Sequence, residues 1–203
     1  MVTRSAAAVA IVLIVTTAAL TGARQRFTKQ DADRFQSKLV RIVEFGNRPA
    51  ARDVAGRQKT PLTDTEVNAF LRHHAKSQIP VGIAEPTLNA LGEGRVGGAA
   101  LVDLDAVRTQ KQRGWMDPLG YLTGKLPLTA RGRLFTQNGI GRFELEGAEI
   151  SGISVPKSVL QELLAYYSRS PEKPAGIDMD DPFELPSRIK EIQVGKGEAV
   201  VVQ

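Results

Sequence analysis

The spacing of apolar and polar positions changes several times along the chain, and each change marks an element. Over residues 30–45, Ala32, Phe35, Leu39, Ile42 and Val43 recur near a 3.6 period, the spacing of one helix face. Gly46 and Asn47 end that helix. Residues 46–61 lack a period and hold two Gly and two Pro, which predicts an exposed linker. Thr63 and Glu66 stand at the spacing of a capping box. The helix they open carries Val67, Phe70 and Leu71 on one face and runs to about Lys76.

From about residue 86 the period becomes two. Val96, Gly98, Ala100, Val102, Leu104 and Ala106 alternate with Gly97, Ala99, Leu101, Asp103 and Asp105, as in a strand. Residues 115–121 read as a loop or a short helical turn. Leu126, Leu128, Ala130, Gly132 and Leu134 then alternate with Lys125, Thr129, Arg131 and Arg133, giving one apolar and one cationic face. Asn138-Gly139 is a hairpin turn signal, and Phe143 and Leu145 continue the apolar face beyond it. The phase then slips, with Ala148 and Ile150 taking the place of Gly147 and Glu149. A bulge at Gly147 accounts for that slip.

Pro156 suits the first position of a helix, with Ser154 as its capping residue. Val159, Leu160, Leu163, Leu164 and Tyr167 form that helix's apolar stripe. Ser170-Pro171 ends it, and residues 171–182 form a loop rich in Pro and Asp. Two last strands, 188–194 and 198–202, are joined by Gly195-Lys196-Gly197. The fold class expected is α+β, with a curved antiparallel meander sheet packed on an amphipathic helix.

The first residues add a membrane question. Residues 5–23 hold no charge between Arg4 and Arg24, just long enough for a spanning helix of roughly 20 residues. A secretory signal also fits, with Thr21-Gly22-Ala23 as its cleavage site. A retained transmembrane anchor is the favoured expectation. The chain thus divides into a signal-anchor segment (1–27), a basic helix and linker (28–61) and an α+β domain (62–203). By the positive-inside rule, Arg24, Arg26, Lys29, Arg34, Lys38 and Arg41 would hold the following domain in the cytoplasm. A short N-terminus before a signal-like run favours export instead.

Charge sharpens the list of partners. The net charge of +5 combines +1 over residues 1–23 and an excess of +6 over residues 24–76 with zero over 77–150 and −2 over 151–203. A basic stretch beside an apolar segment is drawn to anionic headgroups. Nucleic acid is not an expected partner. Six acidic residues share that stretch, and the whole chain has only 7 Phe, 3 Tyr and 1 Trp for stacking. The absence of Cys removes disulfides, thiolate metal sites and Cys nucleophiles.

The motifs that chemistry would need are incomplete. Gly92, Gly94 and Gly97 match G-x-G-x-x-G, but the chain continues as a strand where a dinucleotide site needs a helix. A glycine-rich hairpin or bulge is expected there. His73 and His74 are adjacent, about 100° apart on a helix, and cannot share a metal as i, i+4 ligands do. Ser151 and Ser154 lack the G-x-S-x-G elbow. Asp178, Asp180 and Asp181 fail as a calcium loop, whose fifth, sixth and twelfth positions would be Pro182, Phe183 and Ile189. The expectation is therefore a protein that is not an enzyme, with no catalytic residue, no metal ligand and no cofactor.

The order of a capped LTDTEVNAFL helix, LPLTARGRLFTQNGIGRFELEGAEISGISVP, an amphipathic helix and ELPSRIKEIQVGKGEAVVV resembles bacterial membrane-anchored envelope proteins. In these, a tubular-lipid-binding-like or AsmA-like α+β module follows an N-terminal anchor. The resemblance implies a curved sheet around an amphipathic helix, with an acyl chain in the groove between them. Leu134, Phe143, Leu145, Val159, Leu160, Leu163 and Leu164 are then either ordinary core or the lining of that apolar groove. It also implies export. The expected location is the inner membrane, single-pass, with the C-terminal domain on the periplasmic side, or the periplasm after cleavage of a signal. The expected function is a membrane-tethered, non-catalytic domain binding lipid or another apolar ligand at the cell envelope. The alternative is a tethered scaffold with a dry core that binds a protein partner, for which strand 198–202 would be a free edge.

Overall fold

A computed structural model describes residues 27–48, 57–79, 81–103, 105–106, 124–171 and 173–203, except for the side chains of Leu163 and Tyr167. The elements are α1 (Lys29–Gly46), β1 (Lys59–Thr63), α2 (Asp64–His73), β2 (Ile83–Gly92), β3 (Arg95–Asp103), β4 (Lys125–Gln137), β5 (Ile140–Ile150), β6 (Ile153–Ser154), α3 (Lys157–Ser168), β7 (Phe183–Glu184), β8 (Glu191–Val194) and β9 (Glu198–Val202). The fold is α+β, and every strand pairing is antiparallel.

Both leading helices start where a side chain takes over the unpaired backbone donors of the first turn. Thr28 Oγ1 accepts from the Asp31 N–H at 3.1 Å while the Asp31 carboxylate accepts from the Thr28 N–H at 3.3 Å. Thr63 and Glu66 repeat the arrangement at α2. The second helix stops at His73, short of Lys76, with His74 as its C-cap.

Strands β2 to β6 form a continuous meander in sequence order, with β7 adding a short second partner to β5. Its turns follow backbone chemistry. At β2–β3, Gly92, Glu93 and Gly94 all have positive φ, so the glycine motif is a hairpin turn. Asn138 and Gly139 have φ of 51° and 84°, the signature of a type I′ turn. On β5 the register steps from Arg131↔Gly147 to Gly132↔Leu145, leaving Glu146 as the extra residue. That bulge returns Ala148 and Ile150 to the face of Phe143 and Leu145.

A second, three-stranded sheet has the order β1-β9-β8. It corrects two expectations. Residues 59–61, placed in the linker by their Pro and lack of period, pair with Val200–Val202 of β9. Strand β9, expected as an edge, is the central strand, because β1 and β8 take both of its sides. Ser154 lies in β6 and caps nothing, and Pro156 precedes α3 as its N-cap without a side-chain bond.

The buried side chains gather around this small sheet. Phe35, Phe70 and Ala75 form one cluster, packed by Leu39, Leu62, Val67 and Leu71. Ile42, Ile189 and Val201 form another, packed by Leu62, Leu185 and Ile192. Helix α1 thus lays its apolar stripe on α2 and on the small sheet.

The expected placement as a single-pass inner-membrane protein is corrected. Among the described residues no helix is long and apolar enough to cross a membrane. The longest, α1, has 18 residues, and Lys29, Asp31, Asp33, Arg34, Lys38, Arg41 and Glu44 interrupt its apolar stripe. Residues 5–23, on which that placement rested, lie outside the described residues, as do residues 115–121.

Candidate functional site

The register of β2–β5 decides which side chains share a face, because directly opposed residues in an antiparallel pair point the same way. Leu88 opposes Gly98, Ala90 opposes Val96 and Ile83 opposes Val102. Val102, Ala100 and Val96 oppose Leu126, Leu128 and Gly132. Leu134 opposes Phe143, Gly132 opposes Leu145, and Leu128 opposes Ile150. One face of the meander is therefore apolar across four strands. The other carries Arg95, Arg131, Arg133, Arg142, Glu144 and Glu149. There Arg95 sits directly opposite Arg133, with Glu93 3.4 Å from the first and Glu146 3.8 Å from the second.

The apolar face is shielded but not sealed. Leu126, Leu128, Leu134, Phe143, Leu145 and Ile150 are all half-buried, and Leu88 is 47 % exposed. Ala148 is the one apolar side chain of this face that is buried. Two glycines serve as seats for aromatic rings. The Phe143 ring lies over Gly132 so closely that a Cβ there would collide with it and with the Glu144 carbonyl. The Phe183 ring lies over Gly141, 2.6 Å from where a Cβ would stand.

The seven expected groove residues are only partly brought together. Leu134, Phe143 and Leu145 share the apolar face as a cross-strand group. Helix α3 packs against β5, with Leu160 and Leu164 half-buried and Val159 43 % exposed. The Leu163 side chain lies outside the described residues. Among the described residues, other side chains form clefts, three of which stand out. One of about 810 Å³ lies between the β4–β5 turn and the small sheet, lined by Arg57, Phe135, Arg142, Glu144, Lys190 and Glu191 among others. A second of about 230 Å³ lies at the β5 bulge.

The third, about 690 Å³, lies between the end of α2 and the first half of β2. Leu71, Ile79, Val81 and Ile83 make it apolar, and Arg72, His73, Lys76 and Glu85 line it as well. His73 Nε2 meets the Phe27 carbonyl at 3.0 Å, and His74 Nε2 meets Asp33 Oδ1 at 2.7 Å. Both histidines thus tie the end of α2 to the start of α1. Sequence reading passed over this cleft. Its apolar members follow the end of a helix and carry no period, and only Pro86 hints that β2 is irregular there.

Side chains occupy parts of the sheet edges at β2 and β8. Asn68 donates to the Leu88 carbonyl and accepts from the Leu88 N–H, both at 2.7 Å, taking the place of a neighbouring strand. The Asp64 carboxylate accepts from the Ala90 N–H at 2.9 Å. On β8, Thr136 Oγ1 accepts from the Ile192 N–H at 2.8 Å and donates to its carbonyl at 3.1 Å.

No family model matches the chain, and a search of curated proteins finds no match. Among solved structures, a lipopolysaccharide binding protein aligns at 16 % identity over 71 % of this chain, with a TM-score of 0.22. The chain spans 40 % of that protein's length. At that TM-score the likeness carries no argument about fold or function.

Proposed function

We propose that this chain is a non-catalytic binding module for lipid or another apolar ligand, held on the apolar face of β2–β5. The observation that carries the reading is where burial falls. The buried clusters gather around the small sheet, while the large apolar side chains of the meander stay half-buried or exposed. Completing the burial of one such Leu or Phe is worth roughly 1 kcal/mol. A ligand with an apolar body supplies that across several side chains at once. The resemblance to tubular-lipid-binding and AsmA-like modules belongs to the same proposal, supported by the uninterrupted meander.

The scaffold alternative loses its expected docking edge, since β9 is paired on both sides. Mass spectrometry of solvent extracts from the purified full chain, against a mock purification, tests the proposal. A near-stoichiometric apolar molecule is expected, and Leu134→Glu should deplete it. A clean extract from folded protein overturns the reading.

A further inference from the structure

We infer that the cleft between α2 and β2 takes a single-chain amphiphile with an anionic head, a long-chain carboxylate being the simplest member of the class. The ligand class rests on the proposed function; the place rests on residues outside the group that reading uses, apart from Ile83.

The cleft is of ligand size, since small-molecule sites run from about 300 to 1,000 Å³. Its floor is apolar, and Val81 is 53 % exposed, an aliphatic side chain with unfinished burial. Ile83 belongs both to this cleft and to the apolar sheet face, through its pairing with Val102. An acyl tail entering the cleft is therefore led toward the sheet.

The head is specified by charge. Arg72 and Lys76 line the cleft, and neither has a hydrogen bond or ion pair among the described residues. Glu85 is the one carboxylate among the described lining residues. A carboxylate head gives Arg72 and Lys76 the charge-assisted bonds they lack. A neutral or cationic head leaves both without a partner.

The backbone keeps this stretch of β2 from taking another strand. The register shifts between Ala84 and Thr87, Glu85 is held at φ 49°, and Pro86 has no N–H to offer. Bulges of this kind re-aim side chains and end pairing beside binding sites.

The test is calorimetric titration of the full chain with laurate, dodecyltrimethylammonium and dodecanol, each kept monomeric. Two variants are compared, Arg72→Gln/Lys76→Gln and Leu134→Glu, with thermal unfolding as the check on folding. Laurate is expected to bind more tightly than dodecyltrimethylammonium. The double substitution should weaken laurate about tenfold and leave dodecanol unchanged, and added salt should narrow the preference. Equal binding of laurate and dodecyltrimethylammonium, or an unaltered laurate affinity in the folded double variant, overturns the inference. If Leu134→Glu abolishes binding and the double variant does not alter it, the cleft fails and the sheet-face reading stands. If only the double variant loses laurate, the cleft stands and the sheet-face reading fails. No binding by any of the three overturns both.

Discussion

Gly132 is fixed by a neighbouring side chain. A methyl group at this position meets the Phe143 ring and the Glu144 carbonyl, and the carbonyl is backbone held in the β4–β5 ladder. Gly132→Ala is expected to destabilise the protein by about 1–3 kcal/mol, read as a lower urea midpoint. Glu66 carries a second residue-scale argument. Burial by itself raises its carboxyl, but bonds from Lys38 Nζ at 2.7 and 2.8 Å and from the Thr63 N–H at 3.1 Å outweigh that. The net result holds Glu66 below its ordinary 4.5. Its contribution to stability is therefore fully present above about pH 4.5 and is lost as pH falls through the lowered value. Lys38→Met leaves the burial and removes the main compensation. It should cost about 1–3 kcal/mol at neutral pH and flatten the decline in urea midpoint toward about pH 3. Asp31 moves in the same direction, first through its bond with the Thr28 side chain and then through Arg34.

At the scale of elements, the device that governs assembly is the side chain that stands in for a strand. Asn68 satisfies both backbone groups of Leu88, and Asn68→Ala leaves them without that partner on the edge of β2. A loss of about 1–3 kcal/mol is expected, with self-association rising with concentration in analytical ultracentrifugation. The same scale shows what could be read from sequence. The β4–β5 hairpin was legible down to its bulge, because alternation, Asn138-Gly139 and the phase slip at Gly147 are local signals. The small sheet was not. Strand β1 is the five-residue KTPLT, interrupted by Pro61, and its partner lies far along the chain at β9. Nothing near residues 198–202 marks them as central, so their Val run looked like an exposed edge. The apolar face of the meander was visible as alternation, but alternation says which residues share a face, not how completely that face is covered. The cleft beside α2 depends on a bulge and a positive φ at Glu85, for which Pro86 is the sole hint in the sequence.

At the scale of the whole molecule, backbone and side-chain hydrogen bonds join the two sheets, among them Gly94 N–H to the Val194 carbonyl at 3.2 Å and Gly139 N–H to the Lys190 carbonyl at 3.0 Å. Thr136 bridges β4 to the edge of β8 through Ile192, and Gly197 donates to Ala90 at 2.8 Å. Thr136→Val keeps the shape and removes both bonds to Ile192. It should cost about 1–3 kcal/mol and accelerate hydrogen exchange at the Ile192 amide more than at amides within β3 and β4. The pairing of β9 between β1 and β8 has a further consequence in time. From β2 to β6 each strand pairs with the one before it along the chain, so those pairings close over shorter separations than that of β1 with β9, the kind that form faster. The small sheet instead joins β1 to a strand made after the entire meander. During translation, α1 and α2 are synthesised early and must wait for β9 before the platform beneath them exists. The ribosome thus delivers the apolar face of the meander before it delivers the strand that completes the platform.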